Sequence, residues 1–170
     1  GTHSFRTVVA AWNAVHDSLV LFAGGGSVNE DPVTHATHID SGAVYRSTDW
    51  GATWVQTAQA PHGEFNPQPY ALPINDMMAK PGSLDTLYMA CGENLSNAIV
   101  RTFDGGDTLE SISLEAVGMF EGAFEAVAIN KHHPDSIYFA VRRDILVYDA
   151  DANRTTPLFR GYPGELTHTL

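Results

Sequence analysis

The sequence predicts an all-β fold: a β-propeller segment of about three four-stranded antiparallel blades. Three observations support this prediction. Short strand-like segments recur three times along the chain, no segment has a convincing helical period, and a polar turn follows the third strand of each copy. Four-stranded units of about 40 to 50 residues are typical of propellers, because each small sheet buries its faces against its neighbours around a central axis.

Each copy of the repeat begins with two short apolar runs, the pattern of a β-hairpin. The second run is the clearest, and its copies superpose without gaps at 17–23, 85–91 and 135–141. A third run, a turn and a fourth short strand follow in every copy. Residues 1–170 are thus predicted to form a single partial propeller, with blades at about 5–58, 74–113 and 124–160 and the start of a further blade at 161–170. The alternative, a two-sheet β-sandwich, accounts for the strands and turns but not for the repeat.

The turns between the third and fourth strands share a motif: a Ser or Thr, an Asp two residues later, a Gly and a second Thr. Its residues are Ser47, Asp49, Gly51, Thr53 and the following Trp54 in the first copy, and Thr102, Asp104, Gly106 and Thr108 in the second. In such a turn the Asp accepts backbone N–H groups, the Gly provides left-handed backbone, the Thr hydroxyl caps the turn, and Trp54 is expected to pack under it. The third copy, 149–156, is degenerate, with Asn153 at the Gly position. Asp49 and Asp104 are therefore interpreted as structural rather than catalytic.

This turn resembles the Asp box, or BNR repeat, of several β-propeller families. They include sialidases, glycoside hydrolases that cut xyloglucan, sortilin-type sorting receptors and photosystem assembly factors. The segment 130–138 is also similar to the inter-strand turn typical of the xyloglucanase and sortilin groups. The resemblance covers nearly the whole chain and implies the fold. It does not imply one activity, because these families share the box while differing in chemistry.

Composition limits the partners of this chain. Its 170 residues are 44% apolar and 17% charged, which is typical of a globular domain. The formal net charge is -11 and the nine basic residues are scattered along the chain without a cluster, so neither nucleic acid nor membrane is a predicted partner. Cys91 is the single cysteine, which excludes an internal disulfide. Asn94 and Asn153 match the N-glycosylation pattern; the compartment is left open, with the extracellular space slightly favoured.

The predicted ligand side of the propeller is the face opposite the turns. Connections between second and third strands emerge there, and the first blade has an unusually long one at 24–41. The candidate ligand-binding residues on this face are His35, His38, Glu64, Phe65, Tyr70 and Phe120. The three aromatic residues could stack on sugar rings or, alternatively, pack against the blade ends.

No metal and no cofactor is predicted for this face. His35, His38 and Asp40 have side chains of the type that bind divalent metals, and Glu30 and Asp31 are near them in sequence. Their spacing matches no zinc signature, and a solvated polar loop with histidines is the preferred interpretation.

Two residues are candidates for glycoside hydrolase chemistry. Segment 40–46 is similar to the one that bears a catalytic Asp in xyloglucan-cleaving enzymes, which implies that Asp40 is one carboxylate of an acid/base pair. Here Asp40 is expected to follow a long loop rather than a strand. Phe5-Arg6 resembles the start of the sialidase Phe/Tyr-Arg-Ile-Pro motif, which implies that Arg6 is one of three arginines that clamp the sugar carboxylate. The remaining groups, including the second carboxylate that hydrolysis needs, have to come from elsewhere in the assembly.

Three blades leave two end sheets without neighbours, and their apolar faces need partners. The predicted partners are the remaining blades of a longer protein or a second chain that closes the ring, such as a dimer with six blades. The predicted function is a ligand-binding or assembly module that recognises a glycan or a protein through its loop-rich face. The alternative is part of a sialidase- or xyloglucanase-like glycoside hydrolase whose site is completed by further blades or another chain.

Overall fold

A computed structural model describes residues 4–13, 18–30, 33, 37–62, 71–93, 96–114 and 122–159. These residues form strands and turns and contain no helix, hence none that could cross a membrane. The strands are β1 (Phe5–Asn13), β2 (Ser18–Gly25), β3 (Ser27–Glu30), β4 (Thr37–Asp40), β5 (Ala43–Ser47), β6 (Val55–Gln59), β7 (Ile74–Ala79), β8 (Leu87–Glu93), β9 (Ser96–Thr102), β10 (Glu110–Ser111), β11 (Phe124–Asn130), β12 (His133–Val141), β13 (Asp144–Asp149) and β14 (Arg154–Phe159).

Twelve of the strands form three four-stranded antiparallel sheets. The first sheet has the order β1-β2-β5-β6, the second β7-β8-β9-β10 and the third β11-β12-β13-β14. Within each sheet the strands follow one another in chain order from edge to edge, as in a propeller blade. The prediction of an all-β chain built from three four-stranded, blade-like antiparallel sheets is confirmed, and the two-sheet alternative is wrong.

The three sheets are stacked, with the second sheet in the middle and a core on each of its faces. Leu87 and Met89 belong to the core shared with the first sheet, where they join Phe22. Tyr88, between them in sequence, belongs to the core shared with the third sheet, where it joins Phe139. Because successive side chains of a strand point to opposite faces, β8 is apolar without interruption and contributes to both cores.

The outer faces of the first and third sheets are apolar and exposed. Val8 and Trp12 alternate along β1 with residues that pack into the first core, so they project from the opposite face. On the third sheet, Ile145 and its cross-strand partner Phe159 are exposed in the same way. No element of the described chain is paired with or stacked on either face.

The long connection in the first sheet contains a hairpin that the sequence interpretation missed. Strands β3 and β4 pair antiparallel, with Val28 opposite Ile39 and Ser27 opposite Asp40. Val28 and Ile39 are β-branched residues, a type that favours strands. The expectation that Asp40 follows a loop is therefore wrong, since Asp40 is the last residue of a strand.

The repeat is shifted in its first copy relative to the gap-free superposition. Leu21 pairs with Ser47 in the first sheet, and Leu87 pairs with Thr102 in the second, so Leu21 is the equivalent of Leu87. The superposition had placed Leu19 there. Gly24 is a small residue that fits against Ile74 and Met77 of the second sheet. The ladder of β2 is therefore shifted by two residues toward its C-terminal end.

Candidate functional site

The two ends of the stacked sheets have different chemistry. The antiparallel order places the turns after the third strands at one end, here called the turn end. The connections between second and third strands, including the β3-β4 hairpin, lie at the other end, here called the loop-rich end.

The first turn is held by one carboxylate and two hydroxyls. Asp49 Oδ1 accepts hydrogen bonds from the Ser47 hydroxyl at 2.8 Å and from the Thr53 N–H at 2.8 Å, and Oδ2 accepts the Thr53 hydroxyl at 2.6 Å. The Ser47 oxygen accepts the N–H of Gly51 at 2.9 Å, and Gly51 has the left-handed φ of 86°. Trp54 contacts the turn by donating its indole N–H to the Gly51 carbonyl at 3.1 Å.

The second turn repeats this pattern and the third departs from it. Asp104 accepts the Thr102 hydroxyl at 2.7 Å and the Thr108 hydroxyl at 2.6 Å, and Gly106 has a φ of 88°. In the third turn Asp149 accepts a backbone N–H at 2.9 Å, and Asn153 takes the left-handed conformation with a φ of 47°. These carboxylates accept hydrogen bonds from residues of their own turns, so their role at the turn end is structural.

The hydrogen bonds of the two turns change the acidity of both carboxyl groups. The Thr53 hydroxyl, followed by the Thr53 N–H and the Ser47 hydroxyl, lowers the pKa of Asp49 to about 2. The Thr108 hydroxyl and N–H do the same for the pKa of Asp104, which also lies at about 2. Both carboxyl groups are therefore ionised in the folded chain at neutral pH.

We expect these turns to make folding stability depend on acid pH. Because the folded pKa of about 2 lies below the usual value of 3.8, the stabilisation is complete above about pH 4 and is lost as the pH falls through 2. The melting temperature should therefore fall between pH 4 and pH 2, and the Asp49→Asn/Asp104→Asn double variant should show a flatter profile. Asp151→Asn, at the aligned position of the degenerate turn, is the control. A double variant with the wild-type profile would contradict the assignment.

Three bulge residues form a row near the loop-rich end. The first strands of the sheets, β1, β7 and β11, each have an irregular register there, at Arg6, Asn75 and Glu125. A bulge leaves one residue out of the ladder and redirects its side chain. The Arg6 guanidinium donates to Asn75 Oδ1, and the Asn75 amide donates to the Phe124 carbonyl at 2.8 Å. Arg6, Asn75 and Glu125 are called the first-strand row below.

Asp76, beside this row, connects all three sheets through one carboxylate. It accepts the Thr7 hydroxyl of the first sheet at 3.3 Å and the Val127 N–H of the third sheet at 3.0 Å. β11 is an edge strand, and its N–H groups on the side away from β12 have no ladder partner. Asp76 therefore supplies the acceptor that a neighbouring strand would otherwise provide.

Asp76→Ala is expected to lower the free energy of unfolding by roughly 1–3 kcal/mol, because it leaves a partly buried N–H without an acceptor. Urea denaturation followed by tryptophan fluorescence would measure the loss. Asp76→Asn keeps one side-chain oxygen and should lose less. An alanine variant that unfolds at the wild-type urea concentration would contradict the bridging role.

Arginines from the third strands bind the turn of the next sheet. Arg46 donates to the Gly105 carbonyl at 3.1 Å and pairs with Asp107 at 3.3 Å. A Cβ on Gly105 would lie 2.8 Å from the Arg46 Nη1, which explains the glycine. Arg101, one sheet further on, donates to Asn153 Oδ1 at 3.1 Å in the third turn. The same type of contact thus joins both pairs of neighbouring sheets.

The loop-rich end contains a buried carboxylate oxygen without a partner. Glu93 is the last residue of β8, and its Oε2 is buried and accepts no hydrogen bond, the one such side-chain atom in the described part of the chain. Nearby in the ladder, the buried Asn97 donates its amide to the Gly122 carbonyl at 2.8 Å. A buried acceptor without a donor is costly, so Glu93 is suited to receive a hydroxyl or amide donor from a bound molecule.

The candidate residues named from the sequence have unequal outcomes. Arg6 is exposed and bonded to Asn75. Asp40 and His38 have described backbone in β4, opposite Ser27 and Asn29, but their side chains lie outside the described residues. The other candidate ligand-binding residues lie wholly outside them: His35, Glu64, Phe65, Tyr70 and Phe120. The hydrolase assignment of Asp40 and Arg6 therefore stays a prediction.

A groove of about 360 Å³ crosses the outer face of the first sheet. Its lining is mostly apolar and includes Arg6. The residues concerned are Phe5, Arg6, Thr7, Val8, Ala23 and Trp54. Among the residues that the structure describes, no group of three His, Cys, Asp or Glu side chains could hold a metal ion.

Sequence reasoning missed Asp76, Glu93 and the two inter-sheet arginines. Arg46 and Arg101 could have been found, since each stands directly before the first residue of its turn motif. Asp76 and Glu93 had no such signal, because Asp76 lies inside a strand and Glu93 at the end of one, and neither belongs to a recognisable motif.

Comparison with known proteins adds no relative to this picture. No protein-family model matches the chain, and no curated protein matches its sequence.

Proposed function

We propose that this chain is an assembly module of an Asp-box β-propeller, whose two end sheets each pack against a further blade. The observation that carries the proposal is a repeated interface that ends on apolar faces. The contacts between the first and second sheets recur between the second and third. At each interface an arginine of one sheet donates to the turn of the next. At each interface a side chain of one first strand also donates to the first strand of the next sheet. The outer faces of the first and third sheets, where the next interfaces would form, are apolar and exposed.

The exposed end faces need cover for an energetic reason. Contiguous apolar patches on a protein surface mark interaction sites, and burial of one large side chain contributes about 1.5–3 kcal/mol. Phe5 lies on the first outer face and Phe159 on the last, and both are more than half exposed. The groove across the first sheet offers a seat for side chains of an added blade.

Hydroxyl-radical footprinting of the native protein tests this proposal with matched residues. Phe5, Phe159 and Phe103 have exposed fractions of 53%, 55% and 52%, but Phe103 lies on the second turn, away from both end faces. We expect oxidation of Phe5 and Phe159 to be several-fold slower than that of Phe103, because an added blade shields them. Equal oxidation of all three would show that the end faces are open and would refute the proposal.

Ligand recognition at the loop-rich end is a second candidate function, favoured by the unpartnered Glu93 oxygen. A glycan presents many hydroxyl donors, and one of them could satisfy this acceptor. Calorimetric titration with sialyllactose and with xyloglucan oligosaccharides provides the test. Binding of either that weakens about tenfold in Glu93→Gln would support the site. Absence of binding to both, or binding unchanged by the substitution, would argue against it.

A further inference from the structure

We infer that the blade on each end face is supplied by a second copy of this chain, so that two copies packed head to tail close one ring. The inference rests on the proposed function and adds the identity of the partner. It is carried by two pairs of residues. In each pair one residue lies at the outer face of the third sheet and the other at the outer face of the first, and the two match as the residues at the internal interfaces do.

The first pair concerns the contact between a third strand and the next turn. Arg46 and Arg101 pair with Phe22 and Tyr88 in their sheets. In the third sheet, Tyr148 stands directly before the turn but is buried in the core that faces the second sheet, so the outer face presents its neighbour Val147, the ladder partner of Tyr138. The first two sheets thus present a guanidinium to the sheet that packs on them, whereas the third sheet presents an apolar side chain.

The turn that would contact Val147 is the first turn of the other copy, and it is also more apolar than the second turn. Gly105 is the residue that accepts Arg46 and it has a φ of 69°. The same position of the first turn, three residues after Ser47, is Trp50, which also has a positive φ of 61° and is 78% exposed. In a head-to-tail pair Val147 of one copy meets Trp50 of the other, an apolar contact in place of an arginine on a glycine.

The second pair concerns the first-strand row. Arg6 bonds to Asn75, and Asn75 bonds to the carbonyl beside Glu125, so Arg6 and Asn75 each reach toward the next sheet. Glu125 is exposed at the end of the row. Arg6 lines the groove on the opposite outer face, where an incoming third sheet would bring Glu125. The two ends of the row thus carry opposite charges, which favour this contact and disfavour contact between like ends.

The number of blades agrees with this arrangement. The three four-stranded sheets of the described residues, taken twice, give six blades, within the range of typically four to eight blades in propellers. The contact between different faces closes into a ring with two copies, so both end faces of both copies are covered.

Sizing by light scattering, combined with charge reversal, tests the inference. We expect twice the 18.4 kDa mass of one chain. Arg6→Glu and Glu125→Arg should each raise the dimer dissociation constant about tenfold, and the double variant should restore it to within about threefold, because the reversed charges attract again. A monomer at all concentrations, or a dimer indifferent to both reversals, would overturn the inference.

Trp50→Gly separates assembly from folding. Glycine accepts a positive φ without strain, so the substitution should leave the melting temperature of the dilute monomer unchanged or higher. Loss of a large buried aromatic side chain should raise the dissociation constant about tenfold or more. Phe103→Ala, on the second turn, is the matched control and should not change it. A Trp50→Gly variant that dimerises like the wild type would refute the contact.

The failure of this inference can be told apart from failure of the proposed function. If Phe5 and Phe159 are shielded while the particle contains one copy only, another blade covers the faces and the second-copy inference is wrong. If both residues react like Phe103, the inference and the proposed function fail together.

Discussion

Phe139→Ala is expected to lower the free energy of unfolding by about 3–5 kcal/mol. Phe139 is fully buried at the centre of the core between the second and third sheets, and its ring packs edge-on against Phe124 with centroids 6.3 Å apart. Truncation removes a large apolar surface and leaves a cavity that neighbours on a rigid sheet cannot fill. Urea denaturation at fixed chain concentration would measure the loss, since association changes apparent stability.

Phe103→Ala is the comparison for this loss. Phe103 is about half exposed and lies under the Arg101 guanidinium, 5.0 Å from its ring centroid, so its truncation should cost within about 1 kcal/mol. A Phe139→Ala loss no larger than that of Phe103→Ala would mean that the second core is not packed as described.

Gly42→Ala is the second substitution with a large expected effect, about 3 kcal/mol or more. A Cβ at Gly42 would lie 1.8 Å from the Leu72 carbonyl oxygen, a backbone atom held in place. Gly42 also donates its N–H to the Ala71 carbonyl at 3.0 Å and accepts the Ala60 N–H at 2.9 Å. The link between the first and second sheets thus passes directly against this glycine, and an added methyl group would push it away.

Gly82→Ala gives the contrast that isolates this steric cause. Gly82 has a φ of 79°, and no atom lies within 4 Å of the place that its Cβ would take, so alanine there costs only the left-handed backbone, about 1 kcal/mol. Thermal unfolding of the two variants should rank Gly42→Ala clearly below Gly82→Ala. Equal losses would show that the Leu72 carbonyl moves aside at little cost and would contradict the close-approach argument.

The fold was predictable because its signals are local. The four strands of each sheet are adjacent in sequence, and the turn hydrogen bonds of Asp49 join residues no more than four positions apart. The displaced register of β2 was not predictable, because it depends on Gly24 fitting against Met77 of the next sheet.

The candidate site was less accessible from the sequence for the same reason. Asp76 bonds to Val127, 51 residues away, and Arg46 bonds to Gly105, 59 residues away. Such contacts are fixed by how sheets stack. A polar residue inside a strand, such as Asp76, gives no sign of them, whereas Arg46 could be suspected only from its place before the turn motif. The β3-β4 hairpin was missed because its strands have four residues each and interrupt a polar segment.

The carboxylate of Asp76 has a consequence for how this chain avoids self-templated aggregation. An open strand edge invites pairing with any extended chain, and the inner edge of β11 would be such an edge without the acceptor at its Val127 N–H. The block comes from a neighbouring sheet, so it exists only while the sheets are stacked. Separating the second sheet from the third would expose an apolar face and the Val127 N–H of this edge at the same time.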